Sequence, residues 1–432
     1  MKSPDGPSSS CDGGEREFHP NDVPEQDVSM SENVKNSSAS GWSLAAAAYI
    51  FTTVMIGTTM PTPLYPQYQE VFGFGGMITT ELFAIYAAGV ILGLILFGRL
   101  SEATGRRPVL MAGLVLSVIS AVLFWTGIAE WMLFTGRVFS GFAAGLLTST
   151  GTVSVMENAP KGRARLGGAV ATAANMGGLG LGVLMAGVVS QVALAILPEG
   201  WSLRSPYMVH AIMLVIAGLA LVKVRDPVDR SHKGFRLQTP GIPSEARRQF
   251  GAASVAAVVG FATMGIYSSV VPNVLTGVLH VKAPAAVGII IGLVFLTSAV
   301  AQICLKGLED RSLILVGSLF LAVGMAFSIL ALWLGSLFLL VIAALLSGSG
   351  QGLLFMTGMR AVTKATRAER RTEVTTSYFV VAYLSISVPS VAAGLLIPGF
   401  GLAPTGFLFF AVIGAVTLLG LLNLPKFQGK QG

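Results

Sequence analysis

The feature that most constrains this chain is a series of twelve apolar runs, each close to the length that crosses a bilayer. A transmembrane α-helix needs about 20 apolar residues. The runs lie near 43–64, 80–99, 108–128, 131–156, 166–197, 205–224, 251–273, 285–305, 313–333, 337–359, 374–397 and 404–424. Backbone N–H and C=O groups must be hydrogen-bonded inside the bilayer, and the runs lack the two-residue period of barrel strands. We therefore predict an all-α membrane protein with twelve transmembrane helices.

The distribution of Lys and Arg predicts the orientation of these helices. With the N-terminus in the cytoplasm, the inner loops and the C-terminal tail hold 22 of the 28 basic residues. Outer loops then hold only Arg204 and Lys282. Cytoplasmic loops of membrane proteins are enriched in Lys and Arg. The bias therefore predicts that both termini are cytoplasmic and that the protein is a multi-pass protein of the cell membrane.

Composition excludes several classes of protein. With 53% hydrophobic and 11% charged residues, the chain has too little polar surface for a soluble globule of 432 residues. The positive charge of the membrane part is explained by topology and by contact with anionic lipid, so no nucleic-acid partner is predicted. Cys11 and Cys304 cannot build a disulfide framework or a metal cluster. We predict no metal, no cofactor and, in the absence of hydrolase or ATPase motifs, no enzyme activity.

Polar segments divide the chain into parts. Residues 1–41 carry eight acidic and three basic residues and are expected to form a disordered cytoplasmic tail. A polar segment from residue 225 to 250 separates the sixth run from the seventh. RPVLMAG at 107–113 is similar to RSLILVG at 311–317, and SGFAAGLL at 140–147 is similar to SGSGQGLL at 347–354. The predicted parts are a tail at 1–41, six-helix bundles at 42–224 and 251–425, a linker at 225–250 and a tail at 426–432.

The loop after the second run reads GRLSEATGRRPVL at residues 98–110 and resembles the signature loop of the major facilitator superfamily. The residues that carry this resemblance, with Glu102 in place of the usual Asp, are Gly98, Glu102, Gly105, Arg106 and Arg107. In that family the loop is thought to latch the two bundles in one conformation. The alternative is that the arginines only hold a tight turn on the inner side of the membrane.

Two further patterns are similar to motifs of bacterial drug and metabolite efflux members of this family. RVFSGFAAG in the fourth run, with Arg137, resembles a motif linked to proton coupling. A charge inside hydrocarbon normally faces a cavity or a partner, although Arg137 could also reach the membrane surface. GLGLGVLMAG in the fifth run resembles the antiporter motif through Gly178, Gly182 and Gly187. Val183 replaces the motif's proline, and close helix packing is the alternative.

Arginine does not readily lose its proton, so a proton-coupled cycle requires another titrating group. No acidic residue lies in the middle of a predicted span. The candidates are Glu81, Glu130 and His210, and each could instead be an ordinary polar residue near a helix end. We predict that the coupling ion is a proton, without an assigned carrier.

A central cavity with few charges favours apolar or amphipathic cargo. Polar and aromatic side chains within spans tend to face the bundle interior. The candidate cavity residues are Asn175, Tyr267, Asn273, Gln351, Tyr378 and Tyr383. Hydrogen bonding between helices, or a place in an interfacial aromatic belt, is the alternative for each.

These observations together predict a secondary transporter that exports small apolar or amphipathic compounds, such as drugs or secondary metabolites, by alternating access. Its predicted partners are the lipid bilayer, a small-molecule substrate and a coupling proton, and it is expected to work as a monomer. An uptake symporter for a small nutrient and a membrane sensor that retains the fold are the alternatives.

Overall fold

The computed structural model describes residues 41–160, 162–227, 240–367 and 370–422. Within these residues, twelve helices are long and apolar enough to cross a membrane. In chain order they are α1 (Gly41–Phe72), α2 (Gly76–Phe97), α3 (Arg106–Thr126), α4 (Glu130–Glu157), α5 (Ala164–Ile196), α6 (Trp201–Lys223), α7 (Ser244–Gly277), α8 (Pro284–Cys304), α9 (Asp310–Leu334), α10 (Leu337–Lys364), α11 (Arg371–Phe400) and α12 (Leu402–Leu422). The prediction of an all-α protein with twelve membrane helices is confirmed, and the described segments contain no strand.

Two helices are interrupted near their ends and continue beyond the apolar runs that predict them. α1 continues beyond residue 64, through a 3₁₀ turn at Thr62–Leu64, and ends at Phe72. α7 likewise continues after a break near Pro272 and ends at Gly277. Proline interrupts helical hydrogen bonding locally without preventing a new helix start. The apolar run in the sequence indicates the part of the helix that lies in hydrocarbon. The helix itself continues until its backbone loses packing and capping partners.

The helices pack in a pattern that repeats after six. α2 and α3 both pack against α4, as α8 and α9 both pack against α10, and α1 packs against α5 as α7 packs against α11. This arrangement agrees with the two predicted six-helix bundles. The predicted boundaries of the bundles stay a prediction. Residues 1–40, 228–239 and 423–432, which include almost all of the N-terminal tail, part of the linker and the C-terminal tail, lie outside the described residues.

Twelve crossings place the start of α1 and the end of α12 at the same membrane face, which we call the terminal face. That this face is cytoplasmic stays a prediction. The two bundles meet mainly along α5 with α8 and along α2 with α11. A Cβ atom on Gly187 of α5 would lie 3.0 Å from the Cα of Gly288 in α8, and one on Gly394 of α11 would meet Thr80 of α2.

These close approaches lie in the half of the molecule remote from the terminal face. Gly187 is in the last third of α5, and Gly288 is in the first turns of α8. At the same level, the Nε2 of Gln69 donates a hydrogen bond of 3.0 Å to the Oδ1 of Asn273, which joins the ends of α1 and α7 across the bundles. The described conformation is therefore closed at the face opposite the termini.

Candidate functional site

A cavity lies between the two bundles and is walled by six helices, α1, α2, α5, α7, α8 and α11. Aromatic side chains make up almost half of its wall, and it contains no charged side chain. The thirteen lining residues are Thr59, Phe83, Tyr86, Asn175, Met176, Leu179, Phe261, Met264, Ser268, Phe295, Phe379, Tyr383 and Ile386. The cavity has a volume of about 30 Å³, which is room for a water molecule or two. A substrate could enter only after the bundles move apart.

Two of the six residues that the sequence proposes for the cavity line it. Asn175 lies on α5 and Tyr383 on α11, so the two bundles contribute one each. Asn175 is part of a π-helical turn at Ala173–Gly177. Such turns are rare, and they often occur at functional sites because the extra residue redirects neighbouring side chains. Here the turn places Asn175 and Met176 together in the wall.

The other four proposed cavity residues make contacts outside the wall. The hydroxyl of Tyr267 lies 2.8 Å from the Oγ of Ser328, inside the C-terminal bundle. Gln351 accepts a 2.7 Å hydrogen bond from Ser298. The hydroxyl of Tyr378 donates a hydrogen bond to the carbonyl of Phe355. The side chain of Asn273 accepts a hydrogen bond from Gln69. These positions match the alternative of hydrogen bonding between helices, and a role in substrate binding stays a prediction for each.

The sequence reasoning missed most of the wall. Phe83, Phe261, Phe295 and Phe379 lie in runs that are apolar on every face, so nothing in their spacing separates a cavity residue from a lipid-facing one. The amphipathic period that identifies the core side of a soluble helix is weak when lipid is the outer solvent. Only the packing of the two bundles selects these residues.

Arg137 is completely buried beside this cavity. Its Nε donates a 2.7 Å hydrogen bond to the hydroxyl of Tyr65, and its Nη1 donates one of 2.7 Å to the carbonyl of Thr58; its Nη2 also donates to Tyr65. The guanidinium carbon lies 5.2 to 5.6 Å from the ring centroids of Tyr65, Phe83 and Tyr86. Cation–π contacts of this kind partly replace the lost hydration. The side chain points into the bundle and does not reach the membrane surface.

Glycines explain why the helix that carries Arg137 can approach α2 so closely. A Cβ atom on Gly145 would lie 3.0 Å from the Cα of Gly93, and a Cβ atom on Gly141 would lie 3.0 Å from the Cα of Gly89. Paired small residues four positions apart allow two membrane helices to touch backbone to backbone. The glycines in RVFSGFAAG thus hold α2, with Phe83 and Tyr86, against Arg137.

The three proposed titrating groups occupy different environments. His210 is buried, and its Nε2 donates a 3.0 Å hydrogen bond to the carbonyl of Thr53 in α1. Glu81 is half-buried and lies on the side of α2 that also carries the exposed Met77 and Leu92, so it faces lipid. Glu130 begins α4, where the helix dipole favours a carboxylate. Of the three, only His210 lies inside the bundle.

The glycines of the antiporter-like segment face two different partners. Gly178 and Gly182 pack against α1, where added Cβ atoms would meet Met55, Thr52 and the backbone of Ile56. Gly187 instead packs against Gly288 of the other bundle. Gly180 also packs against α8, where an added Cβ atom would lie 2.8 Å from Leu296, so two glycines of the segment lie at the interface between the bundles.

The signature loop ties together helix ends on the terminal face. Arg106 forms an ion pair with Glu157 at the end of α4, with 2.9 Å between Nη2 and Oε1. The backbone N–H of Arg106 donates a 2.8 Å hydrogen bond to Asp226, which follows α6. Arg107 donates through Nε to the carbonyl of Val224 at 2.5 Å. These contacts join the ends of α3, α4 and α6 within the N-terminal bundle.

The other loop residues shape the turn. Gly105 has φ +98°, a backbone conformation that favours glycine. Gly98 closes the end of α2 through its N–H bond of 3.0 Å to the carbonyl of Leu94. Within the described residues, the carboxylate of Glu102 forms no ion pair. The carboxylates that contact Arg106 and Arg107 come from Glu157 and Asp226, which lie outside the loop.

The C-terminal bundle carries an equivalent clamp with its charges exchanged. Asp310, which stands 204 residues after Arg106 as the internal repeat requires, lies 3.2 Å from Arg360 and 2.7 Å from Lys364. Arg360 and Lys364 end α10, the counterpart of α4. The repeated element is thus an ion pair between a loop and a helix end, and its geometry is retained although the signs are reversed.

The Arg106–Glu157 pair is expected to stabilise the N-terminal bundle. Because both side chains are less than one-third exposed, Glu157→Arg should lower the free energy of unfolding by about 1–2 kcal/mol. The double variant Arg106→Glu, Glu157→Arg should recover at least half of that loss, because the pair is restored in reverse. Glu102→Gln is the control and should leave stability unchanged. Unfolding of the purified protein in mixed detergent micelles measures each value, and equal losses for the single and double variants would rule out the pairing.

The sequence model of the Major Facilitator Superfamily matches residues 42–334. The chain belongs to the Major Facilitator Superfamily. Twelve membrane helices and this membership identify it as a multi-pass transporter of the cell membrane. The expected family is confirmed.

Relatives of this major facilitator chain match it over short segments. It is 34% identical over 84 residues to an uncharacterized transporter of Rickettsia felis, covering 19% of this chain and 21% of that protein. It is 30% identical over 159 residues to the class C tetracycline resistance protein of Escherichia coli, covering 37% of each. The chain thus aligns with well under two-thirds of the length of either relative.

Solved structures match the fold over nearly the whole chain. A POT family transporter in complex with 5-aminolevulinic acid has a TM-score of 0.68 at 13% identity, covering 90% of this chain and 96% of that one. A peptide transporter POT has a TM-score of 0.69 at 15% identity, covering 89% and 94%. At these identities the likeness shows the major facilitator fold and nothing about cargo.

Proposed function

We propose that this transporter exports small apolar or amphipathic compounds in exchange for protons, working as a monomer. The observation that carries the proposal is the cavity, whose wall of six aromatic, two Met and two aliphatic side chains offers apolar contact from both bundles and no charged group. Aromatic and methionine side chains adapt to varied apolar shapes. The partial likeness to the tetracycline resistance protein supports export.

Alternating access is the mechanism that fits this position of the cavity. The site lies between the bundles, and the close contacts of α5 with α8 and of α2 with α11 seal the face opposite the termini. Rocking of one bundle against the other would separate these contacts and expose the cavity to that face. With the terminal face in the cytoplasm, the described conformation corresponds to the state that is closed toward the outside.

Arg137 and His210 are the residues that we propose for coupling. Both bond to backbone carbonyls of α1, at Thr58 and Thr53. Protonation of His210 would place a second positive charge in the bundle that holds Arg137, and α1 contacts both residues. α1 also contributes Thr59 to the cavity, so a shift of this helix would connect proton binding with the substrate site.

The retention of fluorescent dyes and antibiotics in cells tests export. Cells that express the intact protein should retain less of at least one compound than cells with an empty vector, and a protonophore should remove the difference. Arg137→Ala should raise retention to the empty-vector level at equal membrane expression. Arg204→Ala, which changes an exposed arginine at the first turn of α6, is the control and should retain activity.

Two outcomes would favour the alternatives. Greater accumulation in cells that express the intact protein would indicate an uptake symporter. Binding of compounds by the purified protein without flux in liposomes would indicate a sensor that retains the fold. Efflux that persists with the protonophore present would contradict proton coupling and leave export intact.

A further inference from the structure

One charged side chain dominates the electrostatic potential in the cavity. Arg137 is the charged residue that contacts the wall, and within the described residues no Asp or Glu lines the cavity or bonds to the guanidinium. Its partners are a phenol hydroxyl and a peptide carbonyl, which are dipoles and do not cancel a charge. The electric field of the buried Arg137 guanidinium therefore reaches into the cavity, where little water screens it.

Only one layer of rings separates Arg137 from the cavity. The guanidinium carbon lies 5.6 Å from the ring centroid of Phe83 and 5.4 Å from that of Tyr86, and both rings also line the cavity. These two rings already interact with one cation, so they are poorly placed to bind a second. An organic cation in the cavity would meet repulsion from Arg137 without compensation from a carboxylate.

A second observation identifies a polar contact point in the part of the wall that the C-terminal bundle contributes. Ser268 lines the cavity from α7 and is 1% exposed, and its hydroxyl has no hydrogen-bond partner within the described structure. A buried hydroxyl without a partner is costly, and a bound molecule can supply the missing hydrogen bond. Its neighbour Ser269 bonds to the carbonyl of Gly265 at 2.8 Å and lies outside the wall. Ser268 is thus available to a bound molecule.

We infer that the preferred substrates are flat aromatic acids, with the ring between the aromatic walls and the carboxylate in the positive field of Arg137 within reach of Ser268. Neutral aromatic molecules with a hydrogen-bonding group rank next, and organic cations are excluded. The inference rests on the proposed function, since it names the substrate class of the same cavity. It goes further because an apolar cavity without Arg137 would not distinguish the sign of a charge.

Three ligands of nearly equal shape test the predicted order of affinities directly. 2-Naphthoate, 2-naphthamide and 2-naphthylmethylammonium are anionic, neutral and cationic at neutral pH. Binding to the purified intact chain in lipid nanodiscs is measured by equilibrium dialysis. A unit charge about 8 Å from Arg137, at an effective dielectric constant of about 20, predicts that the acid binds at least about tenfold more tightly than the amide. The cation should bind at least about tenfold more weakly than the amide.

Variants separate the two contacts. Ser268→Ala should weaken naphthoate binding about ten- to a hundredfold, because one hydrogen bond to a charged group is lost, while the thermal midpoint stays unchanged. Ser269→Ala is the matched control and should bind as the intact protein does. Arg137→Lys should retain the preference for the acid, and Arg137→Met should abolish the difference between the three ligands. The ranking by the intact protein is decisive even if Arg137→Met does not fold.

The failure of this inference differs from the failure of the proposed function. Binding of the ammonium compound as tightly as the acid, or more tightly, would overturn the inference. Absence of binding by all three ligands would also overturn it. Proton-driven efflux of other compounds would stand in either case. Absence of gradient-driven flux in liposomes, with the predicted binding order retained, would overturn the transport cycle and leave the substrate class intact. Equal effects of Ser268→Ala and Ser269→Ala would remove Ser268 from the site.

Discussion

The double variant Gly141→Leu, Gly145→Leu is expected to be strongly destabilised. Added Cβ atoms at these positions would lie 3.0 Å from the Cα atoms of Gly89 and Gly93, closer than ordinary van der Waals contact allows, and the leucine side chains extend further. α2 must then move away from α4, which withdraws Phe83 and Tyr86 from Arg137. Overpacking at two sites should lower the free energy of unfolding by at least about 3 kcal/mol.

Detergent-induced unfolding of the purified protein and its elution as a monodisperse species measure this loss. Gly218→Leu is the matched control, because no atom lies within 4 Å of a Cβ added there. It should change the free energy of unfolding by no more than about 0.5 kcal/mol. A double variant as stable as the control would contradict the close packing of α2 on α4.

Gly288→Leu is expected to stop transport while the protein still folds. Gly288 contacts Gly187 across the two bundles, and a Cβ atom there would lie 2.7 Å from the carbonyl of Val183. The added side chain therefore obstructs closure of the bundles and leaves packing within each bundle intact. Transport in liposomes should fall at least about tenfold, since a cycle that cannot close at one face cannot complete. The thermal midpoint should change little.

The arrested state can be detected independently of transport. With Cys11 and Cys304 replaced by serine, a cysteine at Leu184, which faces α8 near Gly292, reports opening of this interface. Gly288→Leu should raise its labelling by a membrane-impermeant maleimide. Gly251→Leu, at a position on α7 with no atom within 4 Å of the added Cβ, is the control. Normal transport and unchanged labelling in Gly288→Leu would exclude α5 and α8 as the closing contact.

The fold was predictable from the sequence because lipid imposes a simple rule. Each span must be apolar for about 20 residues, so all twelve helices could be located. The same rule does not predict the contact of Gln69 with Asn273, because the run that predicts α1 ends at residue 64 and Asn273 is the last residue of the run that predicts α7. In the structure, these two polar side chains form one of the contacts between the bundles.

The candidate site was less predictable. Arg137 was identified because a buried charge in an apolar run is rare, and Asn175 and Tyr383 because polar groups in spans tend to face inward. That tendency does not distinguish a cavity from a helix contact, so Tyr267 and Gln351 were proposed together with them although they bond within the C-terminal bundle. Ser268 was missed because small hydroxyl residues are common in membrane helices.

The sequence by itself determined the number of helices, the family and the position of the buried charge, since each depends on local composition or on a short motif. Only the tertiary structure decided which aromatic side chains wall the cavity, that Glu157 and Asp226 serve the signature loop, and that Gly187 meets Gly288 between the bundles. The physical reason is that helices in lipid are apolar on every face. The sequence of such a helix predicts that it crosses the membrane, whereas its packing against other helices determines which face points inward.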